Sequence, residues 1–298
     1  MKTIREELKT TAVLVSDGAW GTLLQKEGLQ PGECPELWNQ THRYVVLNVA
    51  KSYIGAGADM IETNSFGANR FKLEHFKLSG KTGELNIEAA RISREAAGRS
   101  RHVIASAGPT GKLLLMGDVT ENEIYDAFKE QAMALEKGGA DSCCFETFAA
   151  IDEALLALRA AKENTRLEVI CTFTFEKTQQ GEYRTMMGVS PSEMAAALTG
   201  AGADIIGTNC GNGMKRMVDI VKELRSAAPS TPILVHANAG MPRNIKGVDI
   251  FPETPGEMAE NALAVVAAGA NIIGGCCGTT PEHISAIARA VRSKGRIK

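Results

Sequence analysis

One short pattern recurs along this chain and limits what it can fold into. Gly57–Asn64 (GADMIETN), Gly202–Asn209 (GADIIGTN) and Gly269–Cys276 (GANIIGGC) share it, and Gly139–Thr147 (GADSCCFET) is a longer relative. In each, a Gly-Ala-Asp or Gly-Ala-Asn turn opens into an apolar run, as a glycine-ended helix leading into a strand would. Eight such runs occur in all: Ala12–Ser16, Met60–Glu62, Val103–Ala107, Ser142–Phe145, Val169–Phe173, Ile205–Thr208, Ile233–Ala237 and Ile272–Gly274. Short, continuous, β-branched runs suit strands buried on both faces. The segments between them, such as Asp152–Asn164 (DEALLALRAAKEN), carry apolar residues at helical spacing. Ser190-Pro191 with Glu193, and Thr280-Pro281 with Glu282, read as helix starts. The repeats fall on the second, fourth, sixth and eighth runs. Eight strand–helix units in 298 residues predict an α/β fold, a single (β/α)8 TIM barrel, as one domain spanning 1–298.

Composition narrows the function classes. Net charge is −2, so no basic face is offered and nucleic acid is not an expected partner. The first residues, MKTIREELKT, are charged throughout, unlike a secretory leader. No apolar run approaches the roughly 18 residues of a membrane span. A cytoplasmic location is expected. There the seven cysteines stay reduced and serve as core fillers, nucleophiles or metal ligands.

Barrels of this kind carry their chemistry at the C-terminal ends of the strands. Here those ends hold Asp17, Thr63–Ser65, Gly108–Pro109, Glu146, Phe175, Asn209–Cys210, Asn238 and Cys276–Cys277. Cys210 and Cys277 each stand eight residues after their turn glycine, so they should lie at similar heights around the mouth. Adjacent cysteines on a strand would point to opposite faces. Gly274, Gly275 and Gly278 let the backbone leave strand geometry, so that both thiols can turn to one metal. Three thiolates with a fourth position open describe a catalytic zinc site. Core filling is the competing role for any cysteine, and it suits Cys143, Cys144 and Cys171, which lie inside runs. On spacing alone, both roles stay open for Cys276 and Cys277.

Seven segments in order make the chain recognisable: DGAWGTLLQ (Asp17–Gln25), ETNSFGANRFKL (Glu62–Leu73), GPTG (Gly108–Gly111), FETF (Phe145–Phe148), TNCGNG (Thr208–Gly213), NAG (Asn238–Gly240) and GGCCGTTPEHI (Gly274–Ile284). From about Leu14 to about Ala290 the chain resembles the homocysteine S-methyltransferase family, most closely the homocysteine modules of cobalamin-dependent methionine synthases. The resemblance implies a Zn2+-dependent barrel that methylates L-homocysteine to methionine, with Cys210, Cys276 and Cys277 as metal ligands. It also implies that Asp17 and Glu146 hold the substrate's ammonium group. The backbone N–H groups of Gly18 and Ala19 would meet its carboxylate, and Asn238 would touch substrate or metal. Betaine-using relatives have a Tyr after the substrate-binding Glu as part of an aromatic cage. Here that position is Thr147, which offers no π-face to a cation. The expected donor is therefore a methylcorrinoid carried on a separate protein, with S-methylmethionine or another small molecule as the alternative. Two roles of other kinds stand beside this one. A phosphate-binding barrel could use GTTPEH after the last strand, though it leaves the adjacent thiols unexplained. A non-catalytic zinc-binding or partner-docking barrel is the second. His236 and His283 read as structural partners.

Overall fold

The computed structural model describes residues 2–245 and 248–294; of the expected 1–298 domain, the remaining residues lie outside those described. Its centre is a ring of parallel strands: β1 Leu14–Val15, β2 Met60–Glu62, β3 His102–Ala107, β4 Ser142–Phe148, β5 Glu168–Phe173, β6 Ile205–Gly213, β7 Ile233–Asn238 and β8 Ile272–Gly275. Hydrogen bonding runs in the order β1-β8-β7-β6-β5-β4-β3-β2, with helices between the strands. This is a (β/α)8 TIM barrel. Two short hairpins, Glu176–Lys177 with Tyr183–Arg184 and Arg243–Ile245 with Val248–Ile250, rise from the loops after β5 and β7. The Ser190 capping box with Pro191 at the helix start is formed.

The repeat's purpose lies at the bottom of the barrel. In every copy the Asp or Asn after Gly-Ala accepts an N–H from the first or second residue of the preceding strand. Val15 N–H donates to Asp59 Oδ2 (2.9 Å), Val103 to Asp141 Oδ2 (2.8 Å), Val169 to Asp204 Oδ2 (2.8 Å) and Ile233 to Asn271 Oδ1 (3.0 Å). In return each repeat residue donates its own N–H to that strand's carbonyl. Basic side chains brace the same groups: Arg101 and Arg292 on Asp59, Arg94 on Asp141, Arg5 and Lys162 on Asp204, and Arg225 on Asn271. The clamp thus ties strands in odd–even pairs, and it closes the β1–β2 seam, where no ladder forms. A second stitch at that seam is the Glu62 N–H bond to Asp17 Oδ2 (2.9 Å).

Inward-facing side chains form layers. The floor takes one residue from each strand: Leu14, Met60, Ile104, Cys144, Ile170, Ile205, Leu234 and Ile272. Ile4 on the N-terminal helix Ile4–Leu8 plugs it from below. Glu168 holds that plug by accepting the N–H groups of Ile4 and Arg5 (2.5 and 3.1 Å). Burying one such aliphatic side chain contributes about 1.5–3 kcal/mol. Two residues further along each strand, alternation brings a second inward layer. It is polar: Ser16, Glu62, Ser106, Glu146, Thr172 and His236, all buried, with Gly207 and Gly274 completing it. The apolar floor secures the barrel; the polar layer serves the mouth above it.

Candidate metal and substrate site

Three thiols converge above the polar layer. Cys210 Sγ lies 4.0 Å from Cys277 Sγ, Cys276 Sγ lies 3.9 Å from Cys277 Sγ, and all three sulfurs fall within 4.8 Å of one another. All three residues are partly exposed, whereas Cys34, Cys143, Cys144 and Cys171 are buried. Each arm needs an unusual backbone. Cys210 has φ +56°, and the β6–β7 ladder is irregular between Asn209 and Gly213. Strain of this kind concentrates at functional sites. On the other arm, β8 ends at Gly275, and Cys276 still donates its N–H to Ala237 O (2.7 Å). The chain then turns through Gly278, whose φ of +78° and close contact with Phe251 exclude a side chain. Thr279 locks the turn: its hydroxyl donates to Cys276 O (2.7 Å) and accepts from Ala19 N–H (2.9 Å). Ala19's N–H, expected to meet a substrate carboxylate, is thus engaged within the protein.

The donor set fits a soft or borderline cation. Four sulfurs around zinc at about 2.3 Å stand about 3.8 Å apart, close to the 3.9 and 4.0 Å seen here. Hydrogen bonds from the Cys276 and Cys277 thiols hold the Cys210 sulfur far below the ordinary thiol range, helped by the Gly211 N–H and Asn238. The same bonds push Cys276 and Cys277 up. The three sulfurs thus interact directly, and a cation among them would favour the thiolate form of each. Asn238 stands beside Cys210, and its Oδ1 is buried without a partner among the described residues.

Glu146 sits one layer down, at 6% exposure. Ser106 Oγ donates to its Oε1, and Asn209 Nδ2 approaches its Oε2 at 3.4 Å. Burial, with Glu62 adding to it, pushes the Glu146 carboxyl up to about 8, against the Ser106 bond and His236. No arginine or lysine pairs with it among the described residues. Asp17 is fully buried, and its carboxylate accepts from Trp20 Nε1 and Glu62 N–H (both 2.9 Å) and from Ser16 Oγ (3.2 Å). Its bonds hold the barrel seam and the turn carrying Gly18. His283 serves the start of the last helix: Nδ1 accepts Thr280 N–H (3.2 Å), and Nε2 bonds Glu253 O (2.9 Å).

Asn209, named from the sequence only as a strand end and given no role, is the hub of this region. Its Oδ1 accepts from Thr147 N–H (2.8 Å) and Thr172 Oγ1 (2.7 Å), and its Nδ2 donates to Thr147 Oγ1 (2.7 Å). These bonds hold Thr147, the residue after Glu146, at φ +66°. The only sequence signal was its place just before Cys210. Glu62 was likewise missed, and His236 was read only as a structural partner; with Glu146 they form a second cluster in which one donor atom of each lies within 4.8 Å of the others.

Comparison with known proteins agrees with this geometry. The sequence profile of the homocysteine S-methyltransferase family matches residues 14–291. Methionine synthase of Mycobacterium tuberculosis is 35% identical over 305 residues, which cover 94% of this chain and 24% of that protein. Methionine synthase of Mycobacterium leprae is 33% identical over 302 residues, with the same coverage. The chain therefore spans about a quarter of the length of these relatives. Among solved structures, the metallated form of the homocysteine methyltransferase MmuM from Escherichia coli superposes with a TM-score of 0.79. It is 22% identical, over 96% of this chain and 99% of that one, a likeness of fold. With the profile matching almost the whole chain and the barrel in agreement, this chain belongs to the homocysteine S-methyltransferase family.

Proposed function

We propose that the chain methylates L-homocysteine to methionine at a Zn2+ held by Cys210, Cys276 and Cys277. The observation that carries this is the meeting of three sulfurs at the mouth with spacings of 3.9 and 4.0 Å. Bound there, zinc supplies one thing: it keeps the substrate's thiol, ordinarily near pKa 8.5, as a nucleophilic thiolate at neutral pH. The protein's own residues do the rest. The strained Cys210 arm and the Thr279-locked turn fix three sulfurs before any ligand arrives, so little reorganisation is needed. Glu146 and Asp17 place two buried carboxyl groups below the mouth, where an arriving ammonium group would favour their ionised form. Gly18 and Asn238 flank the carboxylate side and the sulfur side of the substrate. The thiols' partial exposure leaves the sulfur open to a donor from outside the barrel.

For the donor we favour a methylcorrinoid on a separate protein. Support comes from the likeness to methionine synthases and from Thr147, whose hydroxyl is tied to Asn209 where betaine users present a ring. S-methylmethionine is the competing donor. No described helix is long and apolar enough to cross a membrane, and reduced thiols suit a cytoplasmic setting. Equal concentrations of a methylcorrinoid protein, S-methylmethionine and betaine should be offered with homocysteine, and methionine measured. Fast turnover with the corrinoid protein and little with betaine is expected. Turnover with S-methylmethionine alone would replace the donor and leave the zinc–homocysteine chemistry standing; none with any donor, in zinc-loaded protein, would remove both.

A further inference from the structure

Two atoms in the polar layer stand without hydrogen-bond partners among the described residues: Glu62 Oε1 and His236 Nε2. Their residues are 7% and 1% exposed. Buried polar atoms are rarely left unpaired, and each exception asks for a cause such as a water, an ion, a ligand or a catalytic role. Glu62 Oε1 faces His236 Nδ1 at 3.4 Å. The imidazole's place is built for it: a Cβ on Gly274 would stand 2.8 Å from His236 Cδ2 and 2.8 Å from Ser16 Cβ. One donor atom each from Glu62, Glu146 and His236 lies within 4.8 Å of the others.

We propose that Glu62 and His236 complete, with Glu146, a seat for the substrate's α-ammonium group, and that this pair makes the site selective for α-amino thiols. An ammonium group has three N–H donors and no acceptor. Acceptors about 2.8 Å from a tetrahedral nitrogen stand about 4.6 Å apart, within the 4.8 Å that separates one donor atom of each residue, whichever imidazole nitrogen supplies it. In the tautomer protonated on Nδ1, His236 Nε2 is an acceptor, and with one oxygen each from Glu62 and Glu146 it offers three acceptors to the three donors. Height agrees as well. His236 pairs in register with Gly274, and Cys276 stands two residues beyond it. Thiol and seat are thus separated by about 6.6 Å along the strands, which a two-methylene spacer plus one hydrogen bond can bridge. Charge points the same way: Asp17, Glu62 and Glu146 place three carboxyls around one buried imidazole, and burial raises all three. A cation entering the seat lets them ionise.

The seat rests on the homocysteine chemistry above, and its test separates the two. Calorimetry on zinc-loaded protein compares L-homocysteine with γ-mercaptobutyrate, which keeps thiol and carboxylate but lacks the amine. Wild type should prefer homocysteine by about tenfold to a hundredfold or more. Glu62→Gln and His236→Asn should each cut that preference by about tenfold, with γ-mercaptobutyrate affinity held within about twofold. An unchanged preference, or equal weakening of both ligands, would overturn the seat. If Glu62→Gln does not fold, His236→Asn alone decides. Wild type binding both thiols equally overturns the seat only; wild type binding neither overturns the homocysteine reading and the seat with it. A protein with all three mouth cysteines changed to Ala that still holds one metal per chain would put a metal in the seat and exclude the ammonium.

Discussion

Two pairs of adjacent cysteines occupy this barrel, and they have opposite fates. Cys143 and Cys144 lie within β4, where alternation sends them to opposite faces. Cys144 joins the floor and Cys143 the outer core between strands and helices. Both are fully buried, and burial pushes both thiols far above the ordinary range. Cys276 and Cys277 follow the last residue of β8, so alternation no longer applies, and their sulfurs meet at 3.9 Å. The same dipeptide is filler in one place and meets a third thiol at the barrel mouth in the other. What separates them is whether the backbone is still in the ladder, and the glycines around the second pair decide that.

Removing sulfurs should widen the contrast most. Cys210→Ala, Cys276→Ala or Cys277→Ala should each abolish stoichiometric zinc, a larger loss than the about 10–100-fold typical of groups that merely support a ligand. Cys143→Ala should keep one zinc per chain by metal analysis. A triple mouth variant that still binds stoichiometric zinc would erase the distinction.

Carboxylates below the mouth should affect substrate and spare metal. Glu146→Ala and Asp17→Ala are expected to weaken homocysteine binding by about one to two decades, read by calorimetry on zinc-loaded protein. Asp17→Ala should also lower the melting temperature, because Asp17 holds the β1–β2 seam. Unchanged affinity in both would remove their role.

Within the strand pair the expected effect is on stability alone. Cys143→Ser puts a hydroxyl among apolar neighbours and should cost about 1–3 kcal/mol in denaturant unfolding, with zinc content unchanged. Equal loss of zinc would mean that the two pairs communicate.

The barrel was legible because its signals are local. All eight apolar runs became strands, and the Ser190 capping box formed from four consecutive residues. β4 and β6 run on to Phe148 and Gly213, past the polar residues that seemed to end them, because Thr147 and Cys210 adopt positive φ and bend the strands without ending them. The repeat's Asp and Asn looked like turn residues; their clamp on the preceding strand is a contact across elements that spacing cannot display. The thiols could be picked out because they fall at strand ends, two of them in a glycine frame, and because the family motifs TNCGNG and GGCCGTT name them; spacing alone left core filling open. The Glu62–His236 pair could not, since β2 and β7 are not neighbours in the barrel and meet only through its interior. Asn209 hid for the same reason.

The smallest expected effect is in pH. Folding raises the Glu146 carboxyl from its ordinary 4.5 to about 8. A raised carboxyl contributes stability that is fully present below the unfolded value and lost as pH rises through the folded one. The melting temperature of metal-free protein should therefore fall between about pH 5 and about pH 8.5, and Glu146→Gln should reduce that fall by a few degrees. Parallel curves would assign the slope to other groups, Glu62 first, whose carboxyl burial also raises.

The most direct measurement is X-ray absorption at the zinc edge of the loaded protein, with and without L-homocysteine. Three sulfur neighbours and one lighter atom are expected before substrate, and four sulfurs after it, because Cys210, Cys276 and Cys277 stay bound while the substrate thiol joins them. A shell of nitrogen and oxygen alone, or a sulfur count that homocysteine leaves unchanged, would contradict the assignment of the mouth thiols as the place where the substrate's sulfur is held.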